Sequence, residues 1–130
     1  MSSRLALVDS SAFIEFSRGG DSAVANAVDE ALAEGRAAVC SVVVAEVLSG
    51  CRSPAEYRST GILLEGLEWL PLSDECWTRA AALGFNLRRS GITVPLTDRL
   101  VAVIARVHGA EVLHCDSHFD LIDDTPDTAP

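Results

Sequence analysis

Residues 5–11 read LALVDSS, and this short stretch decides the fold. The apolar run at 5–8 has the length and composition of a strand buried on both faces. Asp9 and Ser10 follow it directly, and both residue types favour the start of a helix. Further short runs predict strands at 37–40, 68–72, 92–94 and 111–115, with helix-forming segments between them. This alternation predicts an α/β fold with a central, mainly parallel sheet of about five short strands, covered on both faces.

The helical segments are bounded by recognisable caps and stops. Helices are predicted at 10–16, 21–34, 41–50, 53–64, 74–89 and 97–107, and glycine ends most of them. Ser53 and Pro54 followed by Glu56 make a strong helix start, with an N-cap, a proline at the first position and a capping-box carboxylate. Because the chain has 130 residues and no linker or repeat, we expect one domain, 1–130. Residues 122–130 are rich in Asp, Thr and Pro, and this tail is expected to fray.

The composition excludes several classes of protein. With 48% apolar residues the chain is too hydrophobic for disorder, and it holds no apolar run long enough for a membrane span. The run at 5–8 is shorter than the core of a signal peptide, so we expect a cytoplasmic protein. All ten basic residues are Arg, and the absence of Lys excludes P-loop and Schiff-base chemistry.

The charge balance bears on possible partners. A formal net charge of -9 disfavours non-specific binding to nucleic acid, because phosphate neutralisation drives that binding. It still allows nucleic acid to be held through a metal ion and a few arginines. Trp69 and Trp77 are interpreted as packing or interface residues rather than as base-stacking platforms. The candidate phosphate contacts are Arg18, Arg52, Arg88, Arg89 and Arg99.

Four carboxylates follow the predicted strands. Asp9 ends the first strand, Glu46 lies one turn into the helix after the second, Asp98 opens the helix after the fourth, and Asp116 ends the last. Ligands of parallel sheets collect beyond the carboxyl ends of the strands, so we expect the four at one edge. Two like charges about 4 Å apart cost about 4 kcal/mol at an effective dielectric constant of about 20, which a hard divalent cation offsets. The pattern therefore predicts a Mg²⁺ or Mn²⁺ site that hydrolyses a phosphodiester with a metal-activated water.

Each carboxylate also has a simpler explanation. Asp9 and Asp98 can cap helices, and Asp116 can form an Asx-turn. Glu46 lies in an otherwise apolar helix, where the alternative to a metal is an Arg partner. His118 is expected to be a surface or turn residue. A zinc site from Cys115 and the neighbouring histidines is a further alternative, although the cysteines lack paired ligand spacing.

The order of these segments resembles that of PIN-domain ribonucleases, of the VapC toxin type found in bacterial toxin–antitoxin pairs. The resemblance covers about 5–122. The matching segments are LVDSS at 7–11, SVVVAEV at 41–47, GITVPLTD at 91–98 and GAEVLHCDSHF at 109–119. One departure is His114, since the family often has Thr or Ser two residues before the last Asp.

The resemblance implies a three-layer α/β/α sandwich and a metal-dependent endoribonuclease that acts as a toxin. It implies that Asp9, Glu46, Asp98 and Asp116 form the catalytic site for Mg²⁺ or Mn²⁺, with Ser11 supporting Asp9. Asp9 and Asp98 are then the most direct metal ligands. The implied partners are an RNA substrate, a cognate antitoxin protein and a second copy of the chain in a homodimer.

Two other functions compete with this hypothesis. The first is a catalytically silent module of the same fold that binds RNA or a protein partner without cutting. The second is a metal-dependent phosphatase, which the absence of Lys and the Ser at position 11 disfavour.

Overall fold

The computed structural model describes residues 4–130, which form four strands and seven helices. The strands are β1 (Ala6–Val8), β2 (Ala37–Val39), β3 (Glu68–Trp69) and β4 (Glu111–Leu113). The helices are α1 (Ser10–Ser17), α2 (Ala23–Ala33), α3 (Ser41–Ser49), α4 (Pro54–Glu65), α5 (Asp74–Arg89), α6 (Leu96–His108) and α7 (Ser117–Ile122). No helix within residues 4–130 is both long enough and apolar enough to cross a membrane.

The strands form a single sheet in the order β3-β2-β1-β4, and every pairing is parallel. Ala6 is paired with Ala37 on one side and with Glu111 on the other, which makes β1 a central strand. The chain runs outward from β1 to β2 and β3 and then returns to the other side of β1 as β4. The order therefore reverses between β1 and β4, and the carboxyl ends of these two strands are where a ligand crevice is expected. The predicted α/β fold with a parallel sheet is confirmed.

The sheet lies at the centre of the hydrophobic core. Every residue of β1 and β2 is buried, as expected for strands covered on both faces. Residues 100–105 of α6 are all buried in the same core. α6 packs against α5, α7 and α3, so the helices that carry Asp98 and Glu46 are neighbours.

Two predicted helices are confirmed closely. α5 spans 74–89 as expected, and α4 begins at Pro54. The side chain of Ser53 caps α4, its hydroxyl accepting the N–H of Glu56 at 3.1 Å. Local cap chemistry therefore set these boundaries.

The strand predicted at 92–94 is wrong, and the described sheet has four strands rather than about five. The N–H of Ile92 donates to the carbonyl of Leu87 at 2.9 Å, which closes the turn after α5. The carbonyl of Val94 accepts a hydrogen bond from Arg99 Nε at 3.1 Å. Pro95 has no backbone N–H with which to pair to a neighbouring strand. The segment instead leads directly into α6 and so places Asp98.

The tail at 122–130, expected to fray, lies against α5 and α6. Arg106 donates to two tail carbonyls at 2.9 and 3.0 Å, and Asn86 donates to two others at 2.9 and 3.1 Å. Asp127 accepts from Arg79 Nη2 at 2.9 Å. These partners are distant in sequence, so the local composition of the tail gave no sign of them.

Candidate active site

The carboxyl ends of β1 and β4 are tied together by hydrogen bonds. The N–H of Asp9 donates to the carbonyl of Leu113 at 3.0 Å, and the N–H of Cys115 donates to the hydroxyl of Ser11 at 3.0 Å. Asp9 and Asp116 therefore leave neighbouring strands at the point where the strand order reverses. This is the location that the sequence predicted for them.

His118 joins two of the four carboxylates. Its Nδ1 lies 2.7 Å from Asp98 Oδ2 and 3.1 Å from Asp116 Oδ1. Potential ligand atoms of Asp98, Asp116 and His118 all lie within 4.8 Å of one another, so these three side chains could hold one metal ion. Asp98 comes from the first turn of α6, and the other two residues come from the start of α7.

Asp9 is buried with one oxygen unused. Its side chain is only 2% exposed. Oδ2 accepts from the hydroxyl of Ser11 at 2.6 Å and from the N–H of the same residue at 3.2 Å. Oδ1 is buried and has no hydrogen-bond partner in the described structure. An unpartnered carboxylate oxygen is costly in the interior, and a bound cation would satisfy it.

Glu46 lies half-buried in α3 and faces the same charges. Its Oε1 lies 3.4 Å from the hydroxyl of Ser10, at the long end of hydrogen-bond distance. Burial raises the pKa of Glu46, and the negative charges of Asp9, Asp98 and Asp116 raise it further. Glu46 therefore lies within electrostatic range of the other three predicted carboxylates. No Arg in residues 4–130 forms an ion pair with Glu46, which contradicts the alternative of an Arg partner.

Burial also raises the pKa of Asp98, and the charges of Asp116 and Asp9 act in the same direction. The hydrogen bond from His118 opposes this effect and favours the ionised carboxylate. Conversely, the hydrogen bond to Asp98 raises the pKa of His118. One half of the site therefore has an imidazole as the hydrogen-bond partner of its carboxylates, whereas hydroxyl groups are the side-chain donors in the other half.

The capping explanations are compatible with a site for Asp9 and Asp116 but are wrong for Asp98. Asp9 caps α1 with Oδ2 alone, and Asp116 caps α7 by accepting the N–H of His118 at 2.9 Å. Pro95 occupies the N-cap position of α6, so Asp98 does not cap this helix. The described ligand group of Asp98, Asp116 and His118 excludes Asp9, Glu46 and Cys115, because their ligand atoms are not within the same 4.8 Å.

Sequence reasoning missed the part played by His118. The expectation of a surface or turn histidine is only partly right, because the residue lies in the first turn of α7 but contacts two site carboxylates. Its position two residues after Asp116 was an available signal. Asp116 caps α7, so the side chain of His118, in the first turn of this helix, can reach back to the carboxylates at the ends of the strands.

Arg99 does not serve as a free phosphate contact. Its Nη1 donates to the carbonyl of Ala80 at 2.7 Å, and its Nε donates to that of Val94. A Cβ atom added at Gly84 would collide with the guanidinium of Arg99, so only glycine at this position leaves space for the guanidinium. Arg99 therefore fastens the start of α6, including Asp98, to α5.

An apolar groove opens beside Glu46. It has a volume of about 160 Å³ and lies between α1, α3 and α4. Its apolar walls include Phe13, Ile14, Phe16, Val47 and Leu63. The groove thus joins an apolar surface to one carboxylate of the site.

The donor set fits a hard divalent cation. Carboxylate oxygens dominate it, and such oxygens suit Mg²⁺ and Mn²⁺, while one imidazole is more typical of Mn²⁺ or a later transition metal than of Mg²⁺. The unpartnered Oδ1 of Asp9 is the observation that most directly indicates a missing positive charge. The group of Asp98, Asp116 and His118 supplies ligand atoms at compatible separations.

Comparisons with known proteins identify the family of this chain. The PIN domain family matches residues 6–124. Ribonuclease VapC11 of Mycobacterium tuberculosis is 37% identical over 120 residues, which cover 89% of this chain and 90% of the relative. The structure of VapBC-5 from M. tuberculosis, a member of the VapBC family of toxin–antitoxin systems, has a TM-score of 0.67 at 25% identity, covering 95% of this chain and 94% of that one. VapBC2 from Rickettsia felis, bound to a DNA fragment from its promoter, has a TM-score of 0.72 at 20% identity and shows the same fold over 92% of this chain and 93% of its own. The chain therefore belongs to the VapC ribonucleases of the PIN-domain family.

Proposed function

We propose that this chain is a metal-dependent endoribonuclease that acts as the toxin of a toxin–antitoxin pair. The observation that carries the proposal is the grouping of Asp98, Asp116 and His118 within 4.8 Å at the reversal of strand order, near the buried Asp9, whose Oδ1 has no partner. A fold gains nothing in stability from four mutually repelling acids, so their presence indicates a cation and its chemistry.

Each side chain has a role in holding the cation or shaping its surroundings. Asp9 and Asp98 are proposed as direct ligands, and Glu46 and Asp116 as ligands or as acceptors for bound water. Ser11 fixes the orientation of Asp9, and His118 holds Asp98 beside Asp116. When bound, Mg²⁺ or Mn²⁺ lowers the pKa of water and clamps a phosphate oxygen. The proposed reaction is direct hydrolysis of the phosphodiester, with no covalent enzyme intermediate.

RNA is proposed as the substrate because the relative VapC11 is named a ribonuclease. The carboxylate site itself is equally suited to phosphodiesters of DNA, so the nucleic acid must be tested directly. An RNA substrate and an antitoxin partner place the proposed action in the cytoplasm.

The decisive experiment exposes purified, antitoxin-free protein to a small-RNA pool and to matched DNA, with Mg²⁺, with Mn²⁺ or with EDTA. The new 5′ ends are sequenced. We expect discrete RNA cuts that need metal and fall at least about a hundredfold in Asp9→Asn and Asp98→Asn proteins. Asp120→Asn is the matched control, because Asp120 is an exposed acid of α7 outside the four carboxylates.

Two outcomes would contradict the proposal. Cuts that survive in both site variants indicate a contaminating nuclease. A folded wild-type protein that binds RNA or a protein partner without cutting indicates the catalytically silent module.

We further propose that the antitoxin binds in the groove between α1, α3 and α4. The apolar walls suit one face of an amphipathic helix, and an Arg or Lys from that helix can pair with Glu46 in place of the metal. Leu63→Asp is expected to weaken the complex with the cognate antitoxin while RNA cleavage continues. Ile62→Asp is the control, since Ile62 is 72% exposed on the same helix but does not line the groove.

A homodimer is also proposed, through the apolar surface of α1 and α3. Sedimentation of the wild-type and Leu63→Asp proteins tests it. A dimer that dissociates in Leu63→Asp uses the antitoxin groove, and a dimer that persists uses another surface.

A further inference from the structure

α5 presents an exposed stripe of aromatic and basic side chains, defined by Trp77, Ala81, Phe85 and Arg88, with Arg89 beside it. The spacing of four, four and three residues places the first four on one face of the helix. All five are exposed, and the rings of Trp77 and Phe85 are 48% and 45% exposed. Large exposed rings that repeat along one face typically mark an interaction surface.

The arginines of this stripe have no acidic partner. The guanidinium of Arg89 lies 5.8 Å from the centre of the Phe85 ring, in cation–π geometry. Neither Arg88 nor Arg89 forms an ion pair with a carboxylate of residues 4–130, whereas Arg36, Arg79 and Arg106 do. In a chain of net charge -9, these two adjacent arginines beside a ring form a local positive surface. The C-terminal position on α5 explains their charge through the helix dipole but does not explain the exposed ring.

The stripe is connected to the carboxylate site. α5 packs along α6, and Arg99 of α6 lies over Gly84 with a hydrogen bond to the carbonyl of Ala80. Arg99 directly follows Asp98 in the chain. Its hydrogen bonds therefore fasten α5, which carries the stripe, to the turn of α6 that carries Asp98.

We propose that single-stranded RNA lies along this stripe of α5 on its way to the carboxylates. One base stacks on Phe85 beside Arg89, a phosphate pairs with Arg88, and Trp77 offers a second stacking surface about 12 Å away along the helix. This inference rests on the proposed function, because it names the surface that holds the proposed substrate. Stacking accepts any base, so the stripe supplies affinity rather than the choice of cleavage site.

The test measures binding and cleavage separately. The binding probe is a fluorescein-labelled, single-stranded RNA of mixed sequence, titrated by anisotropy in EDTA at several salt concentrations and checked on a gel for intact length. The variants are Phe85→Ala, Phe85→Tyr and the double variant Arg88→Gln/Arg89→Gln. The matched control is Tyr57→Ala/Arg58→Gln, which removes an exposed aromatic ring and an exposed arginine from α4.

We expect the two kinds of variant to act differently. Phe85→Ala should weaken binding about tenfold with an unchanged salt dependence, and Phe85→Tyr should restore it. The double arginine variant should lower the slope of log affinity against log salt by about 0.7 for each phosphate that the protein no longer neutralises. Both should raise KM for cleavage of the RNA pool with little change in kcat, while the midpoint of thermal unfolding and the control variant stay near wild type.

Several outcomes would overturn the inference. If wild-type protein cuts RNA and the stripe variants bind and cut as well as wild type, the stripe is not the RNA path although the proposed function stands. Equal weakening in the α4 control also refutes it, because the effect is then not specific to α5. Loss of a concentration-dependent dimer in Phe85→Ala, with RNA binding intact, identifies the stripe as a surface between copies. Wild-type protein that neither binds nor cuts RNA removes the proposed function and this inference together.

Discussion

Asp9 and Asp127 are both buried aspartates, but their surroundings are opposite. Asp127, 8% exposed, lies 2.9 Å from Arg79 Nη2 and 3.5 Å from Arg106 Nη1. Asp9, 2% exposed, has no arginine partner among the described residues and leaves Oδ1 unpaired. The fold therefore neutralises a carboxylate where the charge serves structure and leaves one unneutralised at the reversal of strand order.

The difference separates a structural role for a buried aspartate from a functional one, which sequence alone cannot do. A buried acid paired with arginines holds elements together, as Asp127 joins the tail to α5 and α6. A buried acid without a cation, close to three other acids, is held in place by the rest of the fold at a cost in stability. The comparison predicts that substitutions in the two regions affect stability and activity in opposite ways.

The largest expected effect is on activity. Asp9→Asn should lower RNA cleavage at least about a hundredfold, because it removes a proposed metal ligand. Asp127→Asn should retain kcat at temperatures where it is folded. Rates are measured on the same RNA pool under saturating metal, and circular dichroism establishes the folded fraction. A large loss of kcat in folded Asp127→Asn would erase the distinction between the two regions.

Metal binding should stabilise the protein only when the carboxylates of the site are intact. At a concentration about one hundred times its dissociation constant, Mg²⁺ or Mn²⁺ should stabilise the wild-type protein by about 2.7 kcal/mol. Asp98→Asn should lose most of this stabilisation, whereas Asp127→Asn should keep it. Thermal unfolding in EDTA and in a metal series gives both values. Equal metal stabilisation in all three proteins would indicate binding elsewhere on the acidic surface.

Removing the charge of Asp127 should destabilise the protein. Asp127→Asn leaves the partly buried Arg106 without a carboxylate partner and leaves Arg79 only its contact with Glu75, so we expect a loss of about 1–3 kcal/mol in the free energy of unfolding. Asp124→Asn is the control, since Asp124 is an exposed acid of the same tail. Urea unfolding measures both. A loss no larger than in the control would show that the tail contributes little to stability.

The sequence predicted the four carboxylates but not the partners that distinguish them. Asp9 and Asp116 could be located because each directly follows a strand, and strand ends of a parallel sheet share one edge. Asp98 was placed there from a strand at 92–94 that does not form, and the turn before α6 positions it instead. His118 escaped because its position two residues after Asp116 was interpreted as that of an ordinary turn residue, although it contacts both Asp98 and Asp116. The ion pairs of Asp127 escaped because they join residues far apart in the chain. The strand expected at 92–94 failed because hydrogen bonds from the turn and from Arg99 already occupy its backbone groups.

The smallest expected effect is also the most direct test of electrostatic cost in the site. Glu46 isolates the effect of charge better than Asp98, because a substitution of Asp98 would alter its hydrogen bond with His118 together with its charge. Glu46 has only the long contact with the Ser10 hydroxyl, and three carboxylates raise its pKa together with burial. Glu46→Gln keeps the shape of the side chain and removes the charge.

We therefore expect Glu46→Gln to stabilise the metal-free protein at neutral pH by up to about 1 kcal/mol, with a smaller gain at high salt, where the repulsion is screened. The measurement is chemical unfolding in EDTA at low and high salt. The comparison is Glu56→Gln, an exposed acid of α4 whose backbone N–H donates to the Ser53 hydroxyl. In saturating metal the gain should reverse, because the charge then faces a cation instead of three anions. If Glu46→Gln is less stable than wild type in EDTA as well, the charge of Glu46 stabilises the fold by itself. Glu46 would then resemble Asp127, whose charge stabilises the fold.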